Sequence, residues 1–542
     1  MQQIFIEYVY LIIAILALVT FADIAKLAYP IVLVIGGLAL SFLSEFSDMI
    51  IDPSVVLFIF LPPLLYEAAW QTSWKEFWKW KRVITSMAFP IVIITACVIA
   101  FFSSAIIPGF TLALGFLLGG IISPPDAISA TTIMRQVNAP KSLVSIAEGE
   151  SLLNDASSLI IFRFALAAII TGQFDFGEAT SSFFLVVIMG TLIGLAIGFL
   201  FYSVHRWLPI PPRIEIIMTF VTPYCMFYAA EHFHFSGVLA VVSGGLLLSS
   251  KRQQMLSYRS RIQAVNVWTS IVFVMNGLIF LLIGLQLPLI INQLGEISVL
   301  RATWYGIAIS FMLIITRILC TLGASAFTMF MSRYITVADA NPGWKGPLIL
   351  GWAGMRGVVS LAAALSIPLY LSDSLYVSDM QVFPYRNLIL FITFIVILVT
   401  LVFQGLTLPL LIKWLKVEDT GVVKSDLEQE KLIQKKLSHS SLIYLENKFV
   451  ADEVDNDHIK NLRARFELEF KFFDTELLED IDPRHKNTIQ EYHATYLDLL
   501  NHQRDILEQI NRDEEFDEDL IRKYLALIDF EELKIREQSI EL

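Results

Sequence analysis

Apolar blocks long enough to cross a bilayer as a helix, about 20 residues each, recur through residues 1–416. They centre near residues 13, 36, 62, 95, 120, 157, 192, 222, 242, 277, 315, 358 and 399, which makes thirteen. The block from Gly237 to Ser250 is the shortest. From Val417 onward the pattern changes to that of helices in water. Apolar residues then recur at helical spacing, as in Leu432, Leu437, Leu442 and Leu445, and again in Ile489, Tyr492, Tyr496, Leu499 and Leu500. Asp482-Pro483 interrupts that pattern. The fold expected is therefore all-α: a membrane body of about thirteen transmembrane helices over 1–416, and a small helical domain over 417–542.

Charge divides the chain at the same place. Of 542 residues, 56 % are hydrophobic and only 17 % charged, where a soluble chain carries about 25 %. Residues 417–542 hold 32 acidic against 17 basic residues, leaving 19 against 22 in 1–416. The body thus needs a bilayer as solvent, and the acidic appendage needs water. Basic residues in the loops alternate: with the N-terminus outside, inward loops hold 17 of them, from Lys26 to Lys416, and outward loops only Arg301 and Arg386. This bias orients the C-terminus to the cytoplasm, in the cell membrane. Met1–Tyr10 has no basic stretch before its apolar run, so the run reads as a first membrane helix rather than a cleaved signal. Cys97, Cys225 and Cys320 lie in apolar runs without ligand spacing and read as buried thiols, not disulfides or a metal site. The tail has no Gly-rich phosphate loop, His/Cys cluster or basic face, which leaves no expectation of a cofactor or of nucleic acid. It reads either as a regulatory or dimer-stabilising domain or as a stability element.

Charges at membrane depth are expensive, at least about 2.5–3.5 kcal/mol each on insertion scales. Glu67, Asp126, Glu148, Glu150, Asp155, Arg163, Glu215, Glu231, Arg317 and Arg356 fall at such depth. Two of the blocks holding them are irregular. Ser123-Pro124-Pro125-Asp126 places two successive prolines inside the fifth block, removing two backbone donors and breaking the helix. Gly351-Trp352-Ala353-Gly354-Met355-Arg356-Gly357 interrupts the twelfth. Five and twelve differ by seven, the offset expected if spans 1–6 and 8–13 are two inverted copies. Interrupted segments at matching positions of two halves point to a transporter's binding site. Helix ends meeting at a break carry partial charges, which Asp126 and Arg356 are placed to compensate; direct ligation of an ion is the second reading for either.

In the sixth block, Glu148-Gly149-Glu150-Ser151-Leu152-Leu153-Asn154-Asp155, Ser151 and Asp155 share a helix face. Asp155 presents a carboxylate with a hydroxyl one turn away and the Asn154 amide beside it. A carboxylate in low dielectric takes a neutralising partner, a proton or a cation but not both, and that competition is a basis for exchange. A capping role for Asp155 is the plainer alternative.

These residues carry a resemblance. Gly149 to Asp155, with Asp126 upstream, is similar to the Asn-Asp branch of the monovalent cation:proton antiporter-1 family, which includes bacterial sodium/proton antiporters of the NhaP type and animal sodium/hydrogen exchangers. Leu61-Pro62-Pro63-Leu64-Leu65-Tyr66-Glu67, Ala230 to Gly237 and Gly354-Met355-Arg356-Gly357 extend the resemblance over most of residues 1–415. It implies that Asp155 carries the ion, Na⁺, and the proton, and that Asn154 shapes the site. It further implies that Ser151 and Glu67 contribute to coordination, and that Glu150 and Arg356 form a structural ion pair. Pro125 stands where many members have threonine, so a contact from there must come from its carbonyl oxygen. The implied activity is exchange of Na⁺, or Li⁺, for a proton, one for one and electroneutral. No cofactor is implied beyond the transported ions, and the assembly expected is a homodimer with a core moving against a scaffold. K⁺/H⁺ exchange is the alternative. An intramembrane aspartyl hydrolase using Asp126 and Asp155 lacks its Gly-x-Gly-Asp signature, and a passive channel lacks a repeated filter.

Overall fold

The computed structural model describes residues 2–43, 56–172, 176–292, 294, 297–332, 343–371, 382–417, 426–448, 457–478, 483–510 and 518–539. It divides into two compact units, Met1–Asp419 and Thr420–Leu542. The described residues are helical apart from loops and one isolated bridge, Tyr370 to Val382. A helix satisfies its backbone groups within one segment, which hydrocarbon demands.

In chain order the first unit comprises α1 (Gln2–Ala25), α2 (Tyr29–Leu40), α3 (Leu61–Gln71, entered through a π turn), α4 (Trp74–Ile106), α5 (Leu112–Ile122) and α6 (Ala127–Gln136). It continues with α7 (Lys141–Thr171), α8 (Phe176–Trp207), α9 (Pro212–His232), α10 (Gly237–Met255), α11 (Tyr258–Leu285), the short α12 (Leu287–Asn292) and α13 (Val299–Met331). It ends with α14 (Lys345–Trp352), α15 (Val358–Leu365) and α16 (Arg386–Leu415). Each of the thirteen apolar centres lies in one of these helices. Among the described residues seven helical stretches are long and apolar enough to cross a membrane: Trp74–Ile106, Leu112–Gln136, Lys141–Thr171, Ser181–Trp207, Tyr258–Asn292, Val299–Met331 and Arg386–Leu415.

The helices pack in two groups. One combines α4–α7 with α13–α16; the other combines α1–α3 with α8–α11, and few contacts join the groups. Small residues bring α4 and α5 together: a Cβ on Gly119 would stand 2.6 Å from the Ala96 carbonyl oxygen, and one on Gly115 would meet Ala100 likewise. Helices in lipid gain little from apolar burial against each other, so this backbone approach and its dispersion contacts hold the pair. Gly119→Val should therefore destabilise the chain by about 1–3 kcal/mol, read as a lower melting temperature in detergent. An unchanged melting temperature would mean that α5 does not rest on α4 in this way.

Pro90 lies within a π turn, Met87–Ile91, of α4, and a second π turn, Thr400–Gln404, lies in α16. Such turns leave carbonyls without their usual helical donors. The Ser157 hydroxyl of α7 donates to the Ala88 carbonyl at 2.6 Å, tying α7 to the first of them. Cys97, Cys225 and Cys320 are free thiols and half-buried, more open than their apolar runs suggested.

The second unit holds α17 (Asp426–Lys448), α18 (Asp457–Leu478), α19 (Pro483–Ile510) and α20 (Glu518–Ser539). Arg463 of α18 pairs with Glu446 of α17 at 3.3 Å, and Arg504 of α19 with Asp529 of α20 at 2.7 Å. Among the described residues Leu500, Ile521, Ile528 and Ile535 are its buried apolar ones, whereas Leu437, read from spacing as part of an apolar stripe, is exposed.

Candidate functional site

The two breaks foreseen from the sequence meet. Helix α5 ends at Ile122 because Pro124 and Pro125 offer no donors, and α6 starts after Asp126. Helix α14 ends at Trp352 and α15 starts after Gly357, with residues 353–357 non-helical between them. The Asp126 amide donates to the Met355 carbonyl at 2.7 Å, so one break is hydrogen-bonded to the other.

Each helix end at the crossing receives a partner of suitable sign. The Asp126 carboxylate caps α6, accepting from the amides of Ile128 at 3.2 Å and Ser129 at 3.4 Å and from the Ser129 hydroxyl at 2.8 Å. It also lies against Gly357 at the start of α15, where a Cβ would come within 2.6 Å of its oxygen. Glycine permits that approach. Arg356 is fully buried and serves the opposite ends. Its Nε donates to the Ile122 carbonyl at 2.8 Å, its Nη2 to Ser123 at 3.1 Å and its Nη1 to Gly354. The Arg356 amide donates to the Thr400 hydroxyl in the second π turn. Carboxylate at N-termini and guanidinium at C-termini is the arrangement the helix dipole favours.

Contrary to the expectation from the sequence, Glu150 and Arg356 do not form an ion pair. Arg356 is committed to carbonyl oxygens. Glu150 instead receives both terminal nitrogens of Arg317 from α13, each at 2.8 Å, with side chains 2 % and 3 % exposed. Arg317 Nη2 also reaches the Leu350 carbonyl at 3.3 Å, near the end of α14. Arg317 stood out in the sequence as a costly charge, but nothing in its own block says which acid it meets.

Helix α7 runs beside the crossing and, besides Glu150, supplies Ser151, Asn154 and Asp155. The Ser151 hydroxyl accepts from the Ala127 amide at 3.2 Å, at the start of α6. Asn154 is fully buried; its Nδ2 donates to the Pro125 carbonyl at 3.3 Å, while its Oδ1 has no partner. The Pro125 carbonyl is therefore turned toward Asn154. Asp155 is 6 % exposed, and among the described residues no donor reaches its carboxylate; Asp126 is the charged neighbour whose field acts on it. Glu67 on α3 is half-buried and accepts from Gln71 one turn on. Its charged neighbours include Arg135 and Glu148, and Tyr29 lies in the field of both Glu67 and Asp126. Ser157 and Thr400, which sequence reasoning missed, are single hydroxyls without a periodic or spacing signal.

A second pair, Arg163 of α7 with Glu231 of α9 at 2.6 Å, links the two helix groups, and Glu231 also accepts from the Gly237 amide at 3.0 Å. No group of three or more His, Cys, Asp or Glu residues poised to hold a resident metal occurs among the described residues.

A multi-pass helical membrane protein with a buried acid beside two crossed, interrupted helices has the architecture of a secondary transporter. Comparison with known proteins gives the family. The profile of the transmembrane sodium/hydrogen exchanger matches residues 11–414, and the chain belongs to that family. It is 32 % identical over 373 residues to the sodium, potassium, lithium and rubidium/H⁺ antiporter of Bacillus pumilus, a match covering 67 % of this chain and 54 % of that relative's length. It is 31 % identical over 396 residues to the Na⁺/H⁺ antiporter ApNhaP of Aphanothece halophytica, covering 72 % and 70 %. Among solved structures it shares the fold of the sodium proton antiporter MjNhaP1 from Methanocaldococcus jannaschii, with a TM-score of 0.60 at 16 % identity, covering 77 % of this chain and all of that one. The chain is a transporter and not an enzyme, which removes the hydrolase considered from the sequence.

Proposed function

We propose that the protein is an antiporter exchanging monovalent cations for protons, Na⁺ first and Li⁺ with it, one for one and without net charge movement. The observation that carries this reading is Asp155: a buried carboxylate that no donor reaches among the described residues, next to Asn154, whose amide oxygen has no partner among them. A buried charge without a partner is costly, so the carboxylate is neutralised either by a proton or by a cation. Oxygen atoms of Asp155, Asn154 and the Pro125 carbonyl make up a donor set suited to a hard alkali ion. Ser151 acts on this site by fixing the start of α6, and Glu67 contributes from α3. Asp126, Glu150 and Arg356 keep the crossing charge-balanced and in place.

The sparse contact between the two helix groups supports alternating access by movement of one group against the other. Each group draws one part from each half of the chain, which supports the inverted repeat and thirteen spans. The same reading makes the protein a homodimer in the cell membrane, with the N-terminus outside and the acidic helical tail from residue 417 in the cytoplasm.

Exchange of K⁺ is the second reading, favoured by the relative from Bacillus pumilus, whose description includes potassium and rubidium. The test is proton release from acid-loaded vesicles holding the full chain, on adding Na⁺, Li⁺, K⁺ or choline. The expected order is Na⁺ and Li⁺ well above K⁺, with no response to choline and none altered by clamping the membrane potential. A response to K⁺ equal to or above that to Na⁺ selects the second reading. A response that follows the clamped potential rejects electroneutral exchange.

A further inference from the structure

A cavity of about 830 Å³ opens along the seam between the two helix groups. Helix α4 and Leu153 of α7 wall it on one side, α8 and α10 on the other. Its depth is hydrocarbon, from Leu195, Leu239, Val242 and Leu246. The hydroxyls that line it make no demand on an occupant. Thr85, Ser86, Thr191, Ser243 and Ser250 each donate to a backbone carbonyl three or four residues back on their own helix. A wall of this kind has nothing to hold water with and takes an apolar guest.

The mouth has the opposite character. Trp74 and Trp78 stack at 5.7 Å and are 45 % and 55 % exposed. The Lys81 ammonium stands 3.6 Å above the Trp78 ring, and Arg82 is exposed next to it. Among the described residues, the charged ones lining the cavity are the cations Lys81 and Arg82, and no carboxylate lines it. Indoles favour the level of lipid headgroups and esters, and clustered Lys and Arg at a membrane surface attract anionic headgroups.

We propose that this seam binds one anionic phospholipid of the surrounding bilayer. Its phosphate lies at Lys81 and Arg82, its glycerol ester region rests on Trp74 and Trp78, and one acyl chain fills the slot between α4 and α10. The acyl chain touches both helix groups. The assignment holds whichever cation the protein carries, since it uses none of the residues at the crossing.

The test uses the full chain, delipidated in detergent, with melting temperature and bound lipid by native mass spectrometry as readouts. Phosphatidylglycerol, phosphatidylcholine with the same chains, and glycerol phosphate are added in turn. One phosphatidylglycerol per chain should be retained and should raise the melting temperature, with phosphatidylcholine weaker and glycerol phosphate without effect. Lys81→Gln with Arg82→Gln should weaken phosphatidylglycerol about 30-fold and leave phosphatidylcholine unchanged, while Lys81→Arg with Arg82→Lys keeps the wild-type response. Leu195→Trp should block both lipids by filling the slot. The lipid-free melting temperature of each variant separates lost binding from lost folding. Equal binding of the two lipids by wild type, an equal response to glycerol phosphate, or unchanged phosphatidylglycerol binding after the double substitution to glutamine overturns the proposal.

Discussion

Asp155→Asn is expected to reduce cation-driven proton movement to the level of empty vesicles while leaving a folded protein. The two halves of that expectation have separate grounds. Asparagine has nearly the same shape as aspartate and is accepted in helices, and no described donor is lost because none reaches the Asp155 carboxylate. Removing a buried charge that has no partner among the described residues also relieves a cost, so the melting temperature should hold or rise. The amide, however, takes up no proton near neutral pH and supplies no negative charge to a cation. Neither half of the exchange can then use the position. Proton flux in vesicles with Na⁺ and Li⁺, together with the melting temperature of the same preparation, checks both halves. Exchange at the normal rate in the variant would remove Asp155 from the mechanism. A collapsed melting temperature would mean that the carboxylate is a structural cap.

The sequence was most legible where chemistry forces the backbone. Pro124 and Pro125 lack donors, so the break in α5 could be read directly, and the glycines at 351, 354 and 357 marked the second break. That Asp126 and Arg356 would balance helix ends also follows from their place at the breaks, and both are hydrogen-bonded there. Partner choice was not legible in the same way. Glu150 meets Arg317, 167 residues away, because α13 packs against α14, and no local pattern encodes that approach. The Ser157 hydroxyl on the Ala88 carbonyl is hidden for the same reason: the acceptor exists only because α4 takes a π turn. Glu67 shows the converse. Its motif resembles one that serves an ion site, yet its hydrogen bond goes to Gln71. The seam between α4 and α10 is space rather than residues, and it takes shape only when both groups are built.

Arg317→Ala is expected to be the most damaging single substitution for the fold, and the reason lies in what it leaves behind. The Arg317 and Glu150 side chains are almost wholly buried and doubly hydrogen-bonded at 2.8 Å. Deleting one partner leaves the other as an uncompensated buried charge, at a cost of about 3–5 kcal/mol; it also frees the Leu350 carbonyl that Arg317 serves. The exposed pair of Arg135 with Glu148 gives the contrast, with side chains 63 % and 28 % exposed. Breaking it should cost about 0–1 kcal/mol. Glu150→Ala should match Arg317→Ala, and Glu150→Leu combined with Arg317→Met should recover most of the loss, since an apolar pair has no charge to strand. Melting temperature and the monodisperse fraction in detergent measure all four. Charge exchange then separates the two guanidinium groups. Glu150→Arg with Arg317→Glu keeps one acid facing one base and should recover part of the stability. Glu150→Arg with Arg356→Glu should recover none, because a carboxylate at 356 cannot donate to the carbonyls of Ile122, Ser123 and Gly354. Equal recovery by the second exchange would restore the Glu150–Arg356 pairing that the sequence first implied.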